Sequence, residues 1–173
     1  MSDAERMVWT RTTKGHAMCW QCDHPGATTA DYLKELRATV REHGWAVQYV
    51  ESDRKPFAYT VGLHDRGLPE LLVTGTSPSW AVEVLNCFAR EALDGRDLRP
   101  GTRVMHDGEP IVEVVEVEQP DAHVKWAVAF GGRAVRAIQL VSPDDRGRWP
   151  WSPDFDDGRG SQPVLGKRGP QNA

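Results

Sequence analysis

Cysteine is scarce in this sequence, and long hydrophobic runs are missing. Three of the 173 residues are cysteine, and the first 14 residues contain no apolar segment of the kind found in secretory signals. This pattern favours a reducing compartment, in which thiols stay free or bind a metal. The longest uncharged run, residues 71–82, is shorter than the roughly 20 apolar residues that a membrane-spanning helix needs. We therefore expect a cytoplasmic protein with no membrane partner.

A basic stripe of the kind that binds nucleic acid is also missing. The net charge is −4, the arginines lie beside acidic residues, and the basic pair that stands out is Lys167-Arg168. The charge pattern argues against a nucleic-acid partner and leaves a small molecule or a protein. The phosphate-binding, dinucleotide-binding, zinc-protease and serine-hydrolase motifs are absent as well. The sequence therefore leaves open whether this protein is an enzyme.

Hydrophobic periodicity predicts an α+β domain. The predicted helices cover residues 31–43, 78–93 and, as a short helix, 120–130. The predicted strands cover residues 45–50, 57–63, 70–74, 102–105, 111–118 and 133–141. Short turns between consecutive strands favour an antiparallel or mixed sheet of about six strands, with two main helices and the short helix on one side. The alternation slips at Val114-Val115, which predicts a bulge there.

Composition divides the chain into three parts. We expect a flexible leader over residues 1–15, a single α+β domain over residues 16–166 and a flexible tail over residues 167–173. The Trp- and Pro-rich segment that contains Trp149 and Trp151 is too aromatic for a disordered tail. We expect it to be ordered and to lie back on the domain, because exposed indole rings are costly.

The sharpest motif is Cys19-x-x-Cys22-x-His24. Two thiolates at this spacing can reach one tetrahedral ion, and the imidazole of His24 follows closely, with His16 as the weakest candidate ligand. We hypothesise a zinc site that fixes the N-terminal loop to the sheet, which is a structural role. Thiol redox chemistry at Cys19 and Cys22 is an alternative, although the helix starts too late to lower their pKa. The third alternative is a pair of small, buried, unreactive thiols.

A second candidate site lies around a predicted strand end. His64 could act as a general base, but neighbouring strand residues face opposite ways, so Asp65 is a poor partner for orienting it. A plain strand-end histidine in solvent, and a capping or turn role for Glu70, are the structural alternatives. The two tryptophans could stack on a sugar, a base or a Pro-rich peptide, or could form a structural latch over the sheet. The candidate ligand-binding residues are Tyr59, Thr60, His64, Glu70, Trp149 and Trp151.

Several motifs in one order resemble the bacterial, often actinobacterial, domain-of-unknown-function family 4262. They are Cys19-Trp-Gln-Cys22-Asp-His24-Pro25, His43-Gly44-Trp45, Phe57-Ala-Tyr59-Thr60-Val-Gly62-Leu63, Pro69-Glu70-Leu, Gln139-Leu-Val, Gly147-Arg-Trp149-Pro150-Trp151 and Gln162-Pro163-Val-Leu-Gly166. The resemblance spans about residues 19–166. It implies a small stand-alone protein and carries over no catalytic residue. One departure is Leu68, which stands before Pro69 where a histidine is expected.

Overall fold

The computed structural model describes residues 6–9, 24–51, 55–106, 109–160 and 162–170. Eight strands lie in these residues: β1 Arg6–Trp9, β2 Ala46–Glu51, β3 Phe57–Val61, β4 Glu70–Thr74, β5 Arg103–His106, β6 Glu109–Val117, β7 Ala137–Val141 and β8 Gly166–Lys167. The α-helices are α1 Thr29–His43, α2 Pro78–Leu93, α3 Pro120–His123 and α4 Lys125–Gly131. Two 3-10 helices, η1 Leu63–Arg66 and η2 Phe155–Gly158, complete the described elements.

The strands form one mixed sheet in the order β1-β2-β3-β4-β7-β6-β5, and β8 pairs with β6. Strands β4 and β7 run parallel, with Glu70 opposite Ala137, whereas the other described pairs are antiparallel. The predicted α+β class and mixed sheet are confirmed, although the described sheet has eight strands rather than about six. None of the described helices is long and apolar enough to cross a membrane.

Helices cover both faces of the sheet, so the expectation of helices on one side was wrong. Helix α2 buries Leu85 and Phe88 against one face, in a cluster with Leu71 and Ile138. Helices α1 and α4 bury residues such as Leu36 against the other face. The reason is visible in the central strands, which are buried at every position of β4 and β7. A strand that is apolar on both faces needs a covering layer on each side.

The ends of the two long helices follow their capping residues. Thr28 caps α1 and forms a capping box with Asp31, and Gly44 ends the helix in a left-handed conformation. Ser77 caps α2 through the backbone N–H of Trp80, and Pro78 occupies the first turn. These local signals explain why both helices were predicted to within about two residues.

Short segments near both ends of the chain pair with the sheet. Arg6–Trp9, inside the predicted leader, pair with β2 as an edge strand. Gly166–Lys167 pair with β6, and Arg168 binds a buried carboxylate, so the described part of the predicted tail lies on the domain. The register between β5 and β6 shifts between Val104 and Met105, which leaves Ile111 as the extra residue of β6, so the bulge does not lie at Val114-Val115. Both of those valines are buried.

Candidate functional site

The carboxylate of Glu70 is the centre of a polar network at the start of β4. Its side chain is 0% exposed. One oxygen, Oε2, accepts a hydrogen bond from Thr60 Oγ1 at 2.6 Å. The other, Oε1, accepts the backbone N–H of Gly62 at 2.8 Å and lies 2.7 Å from His64 Nδ1. A buried carboxylate needs such partners, because without them its desolvation cost is not compensated.

The backbone between β3 and β4 brings these residues together. Gly62 ends β3 with φ of +113°, and a Cβ at this position would lie 2.6 Å from Val40 Cγ1. Glycine is therefore required both by the conformation and by the contact with α1. The chain then turns through η1, which places the His64 ring over Glu70 rather than in solvent at a strand end. Thr60 Oγ1 also accepts the N–H of Leu71, which fixes the hydroxyl between the two strands.

The second ring nitrogen of His64 lies in a confined space. Nε2 is 3.1 Å from Asp65 Oδ1, but this ionic contact lacks the alignment of a hydrogen bond, and Nε2 has no hydrogen-bond partner among the described residues. Phe130 packs edge-on against the ring, with centroids 5.6 Å apart. A Cβ added to Gly131 would lie 2.1 Å from Nε2. The end of α4 therefore lies so close to the imidazole that only glycine fits at position 131.

The surroundings raise the pKa of His64 above its ordinary value. The main cause is the hydrogen bond to Glu70; burial acts in the opposite direction, and the charges of Glu70 and Asp65 add to the increase. The side chain of His64 is 14% exposed, whereas that of Asp65 is 56% exposed. The predicted solvent-exposed strand-end histidine is thus incorrect. The imidazole ring lies between one buried carboxylate, that of Glu70, and one exposed carboxylate, that of Asp65.

Tyr59 belongs to a neighbouring contact rather than to this network. Its ring is 1% exposed, and its hydroxyl accepts the backbone N–H of Trp126 at 3.2 Å. Trp126 in turn packs edge-on against Tyr32 of α1, with centroids 4.5 Å apart. Tyr59 therefore connects β3 to α4, the helix whose end lies over His64.

The two tryptophans of the C-terminal segment form a separate stack. Their rings are nearly parallel, 4° apart, with centroids at 5.2 Å. The guanidinium of Arg103 lies 4.8 Å from the Trp149 ring centroid, and that of Arg168 lies 3.7 Å from the Trp151 centroid. Each ring therefore has a cation over it, and these contacts join the stack to β5 and to Arg168. Among the described residues, no ring contact joins this stack to His64.

Both arginines of the stack also bind one buried glutamate, Glu113 of β6. Arg168 Nε lies 2.7 Å from Oε1, and Arg103 Nε lies 3.0 Å from Oε2. The side chain of Glu113 is 0% exposed. Sequence reasoning did not single out this cluster, because Arg168 reaches Glu113 from 55 positions away in the chain.

The structure does not test the thiol motif. His16, Cys19 and Cys22 lie outside the described residues, and His24 is exposed. Within the described part of the chain, no group of three or more His, Cys, Asp or Glu residues could hold a metal ion. The zinc and redox hypotheses therefore stay predictions.

A family model described as a domain of unknown function (DUF4262) matches residues 39–156. The chain belongs to this family. The match covers the described polar network and the tryptophan stack, including Thr60, His64, Glu70 and Trp149. No curated protein and no solved structure matches the chain. Membership in this family therefore assigns no activity to the chain.

Sequence reasoning found three of the residues that meet at this site and missed two. Thr60, His64 and Glu70 were named as candidates, and they are hydrogen-bonded together. Asp65 was rejected on the assumption of a strand, whereas η1 brings its carboxylate toward Nε2. Gly131 gave no signal beyond the pair Gly131-Gly132, because its role depends on a contact 67 positions away from His64.

Proposed function

We propose that this chain is a small enzyme in which the imidazole of His64 is the acid–base group for a small-molecule substrate. The observation that supports the proposal is the 2.7 Å pairing of Nδ1 with the buried carboxylate of Glu70. A carboxylate that fixes one imidazole nitrogen defines the tautomer and the direction of the other. A ring that is oriented in this way is suited to directed proton transfer at a substrate.

Glu70 is the positioning residue in this proposal. Its two oxygens are already occupied by Thr60, by Gly62 N–H and by the imidazole, so it is held in one place and orients the ring. With Nδ1–H donated to Glu70, the neutral imidazole carries its lone pair on Nε2. Nε2 then takes a proton from the substrate, and the resulting imidazolium is stabilised by the carboxylate behind it.

Asp65 controls access to Nε2. Its side chain is 56% exposed, so it can turn into solvent without losing a buried contact. A substrate group that exchanges a proton then takes the place of the Asp65 carboxylate beside Nε2. Gly131 allows the imidazole to take this position, since any side chain there would collide with Nε2. The hydrogen bond to Glu70 raises the pKa of His64, so the network stabilises the protonated ring that forms when Nε2 takes up a proton.

The test compares substrate turnover by the wild type with turnover by a variant that lacks only the imidazole of His64. Purified protein is incubated in D2O with a small-metabolite extract, and mass spectrometry follows consumption and deuterium incorporation. We expect at least one compound to be converted or labelled by the wild type and not by His64→Gln. The matched control is His43→Gln at the exposed end of α1, which should retain the activity. Identical profiles for the wild type and for folded His64→Gln would contradict the proposal.

A separate structural role is proposed for the thiol motif on its spacing alone. Zinc held by Cys19, Cys22 and His24, with His16 as a further ligand, would fix the N-terminal segment. Elemental analysis of protein purified without added metal is the measurement. One zinc per chain that is lost in Cys19→Ser/Cys22→Ser supports the role, and metal-free protein of unchanged stability contradicts it.

A further inference from the structure

A cavity lies on the opposite face of the sheet from α1, between the end of α2 and the starts of β4 and β7. Its volume is about 390 Å³, which lies within the range of small-ligand sites. The floor is apolar and includes Leu68, Leu71 and Ile138, the last two of which are 1% and 0% exposed. A floor of this kind favours a ligand with a hydrocarbon body.

Three arginines form part of the wall of this cavity: Arg96, Arg99 and Arg136. The described lining contains a single acidic residue, Asp97, although the net charge of the whole chain is −4. Because Glu91 and Glu116 pair with Arg96 and Arg136, the wall has no excess of positive charge, and what it offers a ligand is unused guanidinium donors above an apolar floor. Such an arrangement favours an anionic head group, because a guanidinium offers paired donors to a carboxylate.

The arginines keep donors available for a ligand. Arg96 and Arg99 each use one nitrogen in an ion pair at 2.5 Å, with Glu91 and Asp97 respectively. Arg136 pairs with Glu116 at the longer distance of 3.4 Å, and both of those side chains are more than half exposed. Because each guanidinium has five N–H donors and exposed pairs are weak, a ligand carboxylate can bind beside these pairs or displace them.

We propose that this cavity binds a small monocarboxylate with an apolar body, with its carboxylate on Arg136 and the arginines of the 96–99 loop. The site is independent of His64, since its floor faces α2. The binding should weaken with added salt, because the guanidinium groups of the wall are solvent-exposed.

The test compares octanoate, octan-1-ol and octylamine on the full chain by calorimetry, with 1H–15N shifts of Leu68 and Leu98 to locate the ligand. We expect octanoate to bind at least about tenfold more tightly than the other two, which corresponds to one charge-assisted pair. Arg136→Gln should weaken octanoate roughly tenfold, and Arg96→Gln/Arg99→Gln should weaken it further. The control Arg41→Gln, an exposed arginine of α1, should leave binding unchanged.

Three results would overturn the proposal. The first is no octanoate binding to the wild type. The second is equal affinity for octanoate and octan-1-ol, because the head group would then have no role. The third is an unchanged octanoate affinity in folded Arg136→Gln and Arg96→Gln/Arg99→Gln, since the carboxylate would then bind elsewhere.

Discussion

Glu70 and Glu113 are both completely buried carboxylates of the same sheet, but their partners differ in kind. Glu70 binds a hydroxyl, backbone N–H groups and a histidine that can lose its proton. Glu113 binds two arginines, which keep their charge at any ordinary pH. The first arrangement can exchange a proton with a substrate, whereas the second is a permanent ion cluster. A buried acid therefore indicates chemistry only when its partner titrates.

The surroundings of the two glutamates reinforce that difference. The arginines on Glu113 are covered by the rings of Trp149 and Trp151, and Arg168 comes from the last described strand region. Glu113 thus fastens the C-terminal segment to the sheet. The imidazole on Glu70 is covered by the exposed carboxylate of Asp65, by the ring of Phe130 and by Gly131. The arginines on Glu113 lie against two aromatic rings, whereas one of the groups over His64 is an exposed side chain.

The largest effect is expected from Glu70→Ala. The change removes the acceptor of Thr60 Oγ1, of Gly62 N–H and of His64 Nδ1, and leaves buried donors without partners. We expect the free energy of unfolding to fall by about 3–5 kcal/mol. Urea unfolding monitored by tryptophan fluorescence gives the value. A loss below about 1 kcal/mol would mean that the network does not hold the β3–β4 connection.

A smaller loss is expected from Glu113→Ala, about 2–3 kcal/mol, because Arg103 and Arg168 are 40% and 32% exposed and can be rehydrated. The matched control is Glu116→Ala on the same strand, whose side chain is 55% exposed and which should cost at most about 1 kcal/mol. The measurement is the same urea titration, at pH about 6 and about 9, and the loss should be equal at both because arginine does not titrate there. If the loss of unfolding free energy depended on pH, Glu113 would share with Glu70 a partner that titrates, and the contrast between the two sites would not hold.

His64→Gln tests whether the partner of Glu70 titrates. The folded state raises the pKa of His64, so its stabilisation is fully present below the unfolded pKa and is lost as the pH rises through the folded value. We expect a loss of about 1–2 kcal/mol at pH about 6, and a smaller loss at pH about 9. Unfolding free energies of the two proteins across this range are the measurement. A loss of unfolding free energy that grows with pH would mean that folding lowers the pKa of His64 instead of raising it.

The smallest effect is expected at Asp144, a carboxylate in the loop after β7. Burial raises its pKa, but the backbone N–H groups of Asp156, Arg148 and Arg146, together with the Arg148 side chain, lower it to about 2. Its stabilisation is therefore present above the unfolded pKa and is lost as the pH falls through about 2. At neutral pH, Asp144→Asn should have a lower unfolding midpoint than the wild type. The two midpoints should converge as the pH falls into the acid range. Parallel curves down to pH about 2 would contradict the shift.

Local signals predicted most of the elements, and contacts between distant segments explain what was missed. The caps Thr28 and Ser77 and the strand patterns of β2, β3 and β4 act within a few residues. Leu63 was assigned to a strand because it is apolar, but Gly62 reverses the chain and starts η1. Residues 133–136 were likewise added to β7, although the strand begins at Ala137.

The candidate site was predictable in its members but not in its geometry. His64 and Glu70 are six positions apart, so a sequence pattern suggests proximity but cannot say which carboxylate orients the ring. The answer depends on a 3-10 turn that places Asp65 at the other nitrogen. The pairing of Glu113 with Arg168 spans 55 positions and depends on how the C-terminal segment returns to the sheet. No local pattern carries that information.

The most direct test of the central claim is an NMR titration of the imidazole nitrogens of His64 in the wild type and in Glu70→Gln. Pairing with Glu70 predicts a pKa above 6.5, a neutral form protonated at Nδ1 and a clear decrease of the pKa in Glu70→Gln. A pKa at or below 6.5, a neutral form protonated at Nε2, or no change in Glu70→Gln would contradict the claim that the buried glutamate orients and charges this histidine.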